Sequence, residues 1–302
     1  MSGCQNKDTK YPLSILERKF LKSIPSGSGI VIKNDTAYII GDDATGIYRS
    51  SLKDYQVEKI AVNGLDFTNH REPKTIKRDF ESGTLVTWKG NEYFLAFGSG
   101  SKSTTRDSLL MFSTSDPSDN KIISLNKYYS QLQHYTKSDT TEWNIEGATV
   151  TQDFLILLNR GNNMILKINK NEFMTYLMGE SSIFPGIEFQ RIKLPAVKNH
   201  EARLSGICTL NNEQIIFSAS VEDTPDWIND GLVLGSFIGT YSLTKNTVTA
   251  CHLLRSDTGM ILKEKIESLD ILHHIPGESV IIVAIGDNDN GSSVLYRLKL
   301  AL

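Results

Sequence analysis

Short apolar runs separated by turn residues set the pattern of this chain. Between residues 142 and 195, Ile145–Thr151 and Phe154–Leu158 read as strands, and Asn159-Arg160-Gly161-Asn162-Asn163 as a turn. Met164–Ile168 reads as a third strand. Glu188–Leu194, where apolar and polar residues alternate, reads as a fourth that Pro195 ends. Residues 77–132 follow the same plan, with strands at Gly83–Trp88, Tyr93–Phe97, Ser108–Ser113 and Lys121–Leu125. So do residues 28–62, with strands at Gly29–Lys33, Ala37–Ile40, Gly46–Ser50 and Gln56–Val62. Helical character is slight. Tyr128–Tyr135 and Glu172–Met178 have some and are expected to be single turns in long connections.

A short signature recurs at the head of each unit. Phe80-Glu81-Ser82-Gly83 matches Ile145-Glu146-Gly147-Ala148, Leu204-Ser205-Gly206-Ile207 and Ile266-Glu267-Ser268-Leu269, with a fainter copy at Gly27-Ser28-Gly29-Ile30. Its central residue stands at 28, 81, 146, 205 and 267, in steps of 53, 65, 59 and 62, and a further 63 returns from Glu267 through the C-terminus to Ser28. Five near-equal steps that close on themselves predict a circular array. A lone four-stranded meander leaves its faces uncovered, whereas radial packing of such sheets covers them, which is the β-propeller solution. The last unit has three clear strands, Glu267–His273, Ser279–Ile285 and Ser293–Lys299. The segment Tyr11–Ile24 has no unit of its own and is expected to supply the fourth. The prediction is an all-β, five-bladed β-propeller closed by its N-terminal strand. Residues 1–10 form a tether and residues 11–302 a single domain, with blades near 27–62, 77–132, 142–195, 202–256 and 264–302 plus 11–25.

Composition narrows the function classes. With 32 basic and 35 acidic residues, the net charge of −3 offers no basic patch for nucleic acid. The apolar runs fall far short of the roughly 20 residues of a membrane helix. Cys4, Cys208 and Cys251 form no disulfide framework. Met1-Ser2-Gly3-Cys4 followed by polar residues looks like the end of a lipoprotein signal whose charged and apolar regions are missing. This leaves two localisations, a cell-envelope lipoprotein through Cys4 if a signal lies upstream, otherwise the cytoplasm. A monomer is expected.

Antiparallel pairing puts the start of strand one and the end of strand two of every unit at the same end of the ring. One set of residues there is the signature position itself, including Glu81, Glu146 and Glu267 on the innermost strands. The other is the turn after strand two: Asp42-Asp43, Ser101-Lys102 beside Gly98-Ser99-Gly100, Arg160, Glu222-Asp223 and Asp287. Three glutamates round one axis repel unless compensated. A Ca²⁺ ion held by Glu81, Glu146, Glu267 and Asp287 would do so. Cations from the set Arg78, Lys102, Arg106, Arg160 and Arg203 would do so too and would grip an anionic ligand. The alternative is that each glutamate accepts backbone hydrogen bonds from the next blade and locks the ring. Asp287-Asn288-Asp289-Asn290-Gly291 lacks the EF-hand's twelfth-position glutamate, having Leu298 there, and reads as an Asx-rich turn. The long acidic stretch Val221–Gly231 reads as a wall or lid. No nucleophile with its base stands out.

The signature copies, together with Phe97-Gly98-Ser99-Gly100-Ser101, Asn159-Arg160-Gly161 and Glu222-Asp223-Thr224 through Asp230-Gly231 with Gly235-Ser236, resemble a family of bacterial β-propellers, a domain of unknown function. The resemblance runs from about Tyr11 onward and implies a propeller with no established activity. The glutamate marker is more distantly similar to that of phytase-like esterase propellers, but no catalytic set is matched. Two functions follow. One is binding of a small anionic ligand or a cation at the channel mouth, extending to hydrolysis, with Glu146 or Glu81 as base or metal ligand and Arg160 as clamp. The other is a non-catalytic protein-interaction scaffold with structural glutamates.

Overall fold

The structure is a computed structural model that describes residues 12–102, 104–224, 231–287 and 292–302. The N-terminal tether with Cys4, the middle of the acidic stretch (225–230) and the Asx-rich turn at 288–291 lie outside the described residues.

Five four-stranded antiparallel sheets stand round an axis. The first blade holds β2 (Gly27–Lys33), β3 (Thr36–Gly41), β4 (Ile47–Ser51) and β5 (Val57–Ile60). The second holds β6 (Phe80–Trp88), β7 (Asn91–Gly98), β8 (Ser108–Ser113) and β9 (Asn120–Ser124). The third holds β10 (Ile145–Val150), β11 (Phe154–Asn159), β12 (Met164–Asn169) and β13 (Ile187–Arg191). The fourth holds β16 (Arg203–Asn211), β17 (Gln214–Asp223), β18 (Leu232–Ser242) and β19 (Thr247–Leu253). The fifth joins β20 (Ser268–Ile275), β21 (Ser279–Asp287) and β22 (Ser293–Ala301) to β1 (Leu13–Leu21), in the order β1-β22-β21-β20. The N-terminal strand therefore closes the ring as the missing fourth strand requires, with Leu13 opposite Leu300 and Leu21 opposite Ser293. Each inner strand touches the next: β2 with β6, β6 with β10, β10 with β16, β16 with β20, and β20 back to β2.

The core lies between blades. One cluster joins Ile39 and Tyr48 of blade one to Phe94 of blade two and Ile285 of blade five. Three further clusters fill the other clefts between neighbouring blades. Inner strands approach so closely that the residue after the signature must be small. A Cβ on Gly29 would lie 2.9 Å from the carbonyl carbon of Ser82, and one on Gly206 would lie 2.7 Å from the Cα of Ser268.

The signature marks a β-bulge. Pairing slips by one residue between Gly27 and Gly29, Phe80 and Ser82, Ile145 and Gly147, and Leu204 and Gly206. Ser28, Glu81, Glu146 and Ser205 are thus the extra residues, left out of the ladder. A bulge bends its strand and re-aims one side chain, which explains why a polar residue persists inside an otherwise apolar strand. Glu267 stands one residue before β20, where its N–H donates to Ile285 O at 2.8 Å.

Three expectations about local structure need correction. The region around Tyr128 is no single turn but a helix of 11 residues, α1 (Asn126–Thr136), that buries Tyr128, Tyr129, Leu132 and Thr136. The second region is α2 (Lys170–Leu177), which Asn169 caps by accepting from Glu172 N. Both fill the wide outer cleft between blades two and three, where Tyr128 packs on Phe173 with ring centroids 5.4 Å apart. Tertiary packing there extends what propensity alone would not hold. The fourth strand of blade three ends at Arg191 rather than at Pro195. A small hairpin, β14 (Ala196–Val197) and β15 (His200–Glu201), follows it.

The blades are latched by side chain to backbone bonds. Asp270 of blade five accepts from Ile32 N of blade one at 2.7 Å, and Asn163 Nδ2 donates to Ala202 O at 2.9 Å. Ser293 closes the ring, since its hydroxyl accepts from Gly27 N and donates to Ile24 O, both at 2.9 Å. Replacing Ser293 by Ala leaves a buried donor and a buried acceptor unpaired. It should cost roughly 1–3 kcal/mol in denaturant unfolding. An unchanged midpoint would show that the ring closes without this latch.

Candidate functional site

The ends of the inner strands and the turns after the second strands enclose a cavity of about 930 Å³ at one mouth of the channel. It is lined by Ser28, Glu81, Glu146 and Glu267, four of the five signature residues. The fifth, Ser205, is spent on packing: its hydroxyl donates to Ile266 O at 2.6 Å. Arg160, Ser101, Lys102, Glu222 and Asp287 also line the cavity. Four expected residues do not: Asp43 pairs with Arg71, and Arg203 reaches Gly161 O and Glu201. Arg78 turns away to Glu72 and Gly64 O, and Asp223 faces His200, Nε2 to Oδ1 at 3.3 Å.

A chain of buried ions runs round most of the mouth. Arg160 Nη1 lies 3.4 Å from Glu146 Oε2, and its Nη2 lies 3.0 Å from Glu222 Oε1. The same Glu222 oxygen is 3.4 Å from Lys265 Nζ, which is 3.1 Å from Glu267 Oε1. Asn144 Nδ2 holds the other oxygen of Glu146 at 2.7 Å, and Ser220 Oγ accepts from Arg160 Nη1 at 2.9 Å. On the far side Lys77 Nζ bridges Asp42 at 2.5 Å and Asp79 at 2.6 Å, and Arg106 reaches Asp79 at 3.0 Å. Among the described residues none of the three glutamate side chains accepts a backbone N–H, so the latch role expected as the alternative falls to Asp270, Asn163 and Ser293 instead.

Lys77, Asp79 and Lys265 escaped the sequence reading. The signal was two positions upstream of the signature, where Ser26, Asp79, Asn144, Arg203 and Lys265 are all polar. In an extended segment that spacing returns a side chain to the same face.

Glu81 differs from the rest. It sits enclosed at the cavity wall between the two ion clusters with no hydrogen bond or ion pair to another described residue. Burial, followed by the charges of Asp79, Asp42 and Glu146, pushes its pKa well above the usual carboxylate range, against the opposing pull of Lys77. Glu267 is raised to about 7, by burial first and then Glu146. Burial would raise Glu222 too, but Lys265 and Arg160 outweigh it and keep that pKa low. The mouth therefore sets a carboxyl whose protonated form is favoured beside carboxylates held by cations, a set able to donate a proton, accept one, or receive a cation. Its lining contains no histidine and no cysteine among the described residues.

The architecture and this mouth define a five-bladed β-propeller with an ion-paired axial cavity. The chain belongs to a family of unknown function, DUF6929, whose model matches residues 23–300. No curated protein matches it in sequence. Among solved structures it is similar to the glutaminyl cyclase of Myxococcus xanthus, at 11% identity over 96% of this chain and 97% of that one, with a TM-score of 0.51. It is also similar to the major allergen Mala s 1 of Malassezia sympodialis, at 10% identity over 94% and 96%, TM-score 0.49. A luciferin-regenerating enzyme matches at 8% identity over 95% and 94%, TM-score 0.47. These likenesses show the fold alone. Among the described residues no helix is long and apolar enough to cross a membrane.

Two outcomes test the electrostatics. Arg160→Gln strips the cation from buried Glu146 and Glu222 and should destabilise by roughly 3–5 kcal/mol in chemical unfolding. A loss under about 1 kcal/mol would mean the pair is solvated. Glu267, raised from 4.5 to about 7, binds its proton more tightly folded than unfolded. Its contribution is therefore full below pH 4.5 and is lost as pH rises through about 7, by up to about 3 kcal/mol. The stability difference between wild type and Glu267→Gln should fall across that window, and a difference independent of pH would refute the shift.

Proposed function

We propose that the propeller binds a small polar ligand bearing a positive charge in the channel mouth, with Glu81 as the group that meets the charge. One observation carries this reading: the buried cations of the mouth already have carboxylate partners, whereas the Glu81 carboxyl has none. An anionic ligand reaching those buried cations would have to break their pairs. A cation entering beside Glu81 stabilises its ionised form and drives off its proton, so that binding and ionisation are linked. Isothermal titration with hexylamine in buffers of different ionisation enthalpy should show weak binding with proton release. Affinity should rise with pH, and Glu81→Gln should weaken it about tenfold, a change of 1.4 kcal/mol.

A second reading, Ca²⁺ in place of an organic cation, is supported by the ligand atoms of Asp42, Asp79 and Glu81, which all lie within 4.8 Å of one another. Lys77 Nζ already bridges Asp42 and Asp79, so the ion would have to displace an ammonium. If Ca²⁺ raises the melting temperature of wild type and Asp79→Asn abolishes that shift, the metal reading replaces the amine one. If neither hexylamine nor Ca²⁺ binds, the ion network serves the fold and the interaction-scaffold alternative stands.

A further inference from the structure

We propose that the ligand of this mouth is a zwitterion, its cationic end directed to Glu81 and its anionic end held at the rim by Lys74 and Lys102. The inference rests on the cation-binding reading above and adds the second recognition point.

The cavity has a gradient of charge from wall to rim. Arg160 is buried and paired to Glu146 and Glu222, and Lys265 is paired to Glu222 and Glu267. Lys77 and Arg106 are committed to Asp42 and Asp79. Lys74 and Lys102 also line the cavity, yet both are exposed and neither has a carboxylate partner among the described residues. They come from two segments on the Glu81 side of the mouth. Lys74 lies in the connection from blade one to blade two, and Lys102 in the turn after β7. One cavity is thus lined by a carboxyl without a cation partner and by two exposed ammonium groups without an anion. A ligand with a single sign of charge satisfies one of these and leaves the other solvated, whereas a zwitterion satisfies both.

The lining also has neutral polar groups. Ser130 and Gln133 of α1 face the cavity, and their side chains have no hydrogen-bond partner within the described residues. They offer donors and acceptors to the body of a bound molecule without selecting its charge.

The test uses the full chain and three probes of one length: 6-aminohexanoate, hexylamine and hexanoate, compared by isothermal titration at pH 7.5. The expected order is 6-aminohexanoate tighter than hexylamine by about fivefold, the gain available from two exposed ammonium groups, with no measurable binding of hexanoate. The double variant Lys74→Gln, Lys102→Gln changes only exposed side chains. It should lower 6-aminohexanoate to the affinity of hexylamine and leave hexylamine unweakened. Equal affinities for the two amines in wild type, or a double variant that weakens both alike, overturns the zwitterion proposal while leaving the cation site in place. Failure of hexylamine and 6-aminohexanoate alike overturns both readings. Binding of hexanoate alone overturns both as well and turns the site into an anion site.

Discussion

The bulge at the head of four inner strands is the constraint on which the rest depends. It takes one residue out of the ladder and turns its side chain toward the axis, while the small residue that follows, glycine in three blades and Ser82 in the second, lets neighbouring strands close to contact distance. Apolar side chains at those positions would fill the channel mouth. Glutamates instead carry like charges into a confined space of low dielectric. Two unit charges 4 Å apart there interact by about 4 kcal/mol. The architecture therefore creates an electrostatic problem at the same point where it closes.

The solution is uneven, and the unevenness makes the site. Blades three, four and five share Arg160 and Lys265 among Glu146, Glu222 and Glu267. Blade one and its connection give Asp42 and Lys77, and blade two is entered through Asp79, which also takes Arg106 and the Ser99 hydroxyl. Asp79 is held at φ 56°, an unfavourable region that a short polar side chain with several partners tolerates. Glu81 falls between these two systems. With acids on both sides and one cation already shared by two of them, its charged form is disfavoured and its pKa is pushed up.

Blade number and ring closure were legible because a repeat that returns to its start admits few architectures, and because β1 was needed to complete the fifth sheet. The site was only half legible, and strand geometry says why. The sequence reading grouped neighbours, Glu222 with Asp223, and counted Arg78 among the compensating cations. Successive residues of an extended chain face opposite sides. Glu222 points inward to Arg160 while Asp223 points out to His200, and Lys77 reaches the mouth while Arg78 reaches Glu72. The bulge itself was hidden, since one inserted residue changes pairing but barely disturbs the apolar pattern. The full length of α1 was hidden too, since its burial depends on Phe173, distant in sequence.

This division of labour limits where the lining of the mouth is able to vary. Exchanging Arg160 disturbs Glu146, Ser220 and Glu222 together, and exchanging Lys265 disturbs two blades at once. Buried charges so coupled resist substitution one at a time. Glu81, the rim lysines and the exposed face of α1 stand outside the network. Changes there alter the lining of the mouth while leaving the ion pairs and the ring latches in place. A propeller with buried ion pairs round its mouth is thus left with a few positions, all on the side of blade two, at which the lining of the cavity is separable from that network.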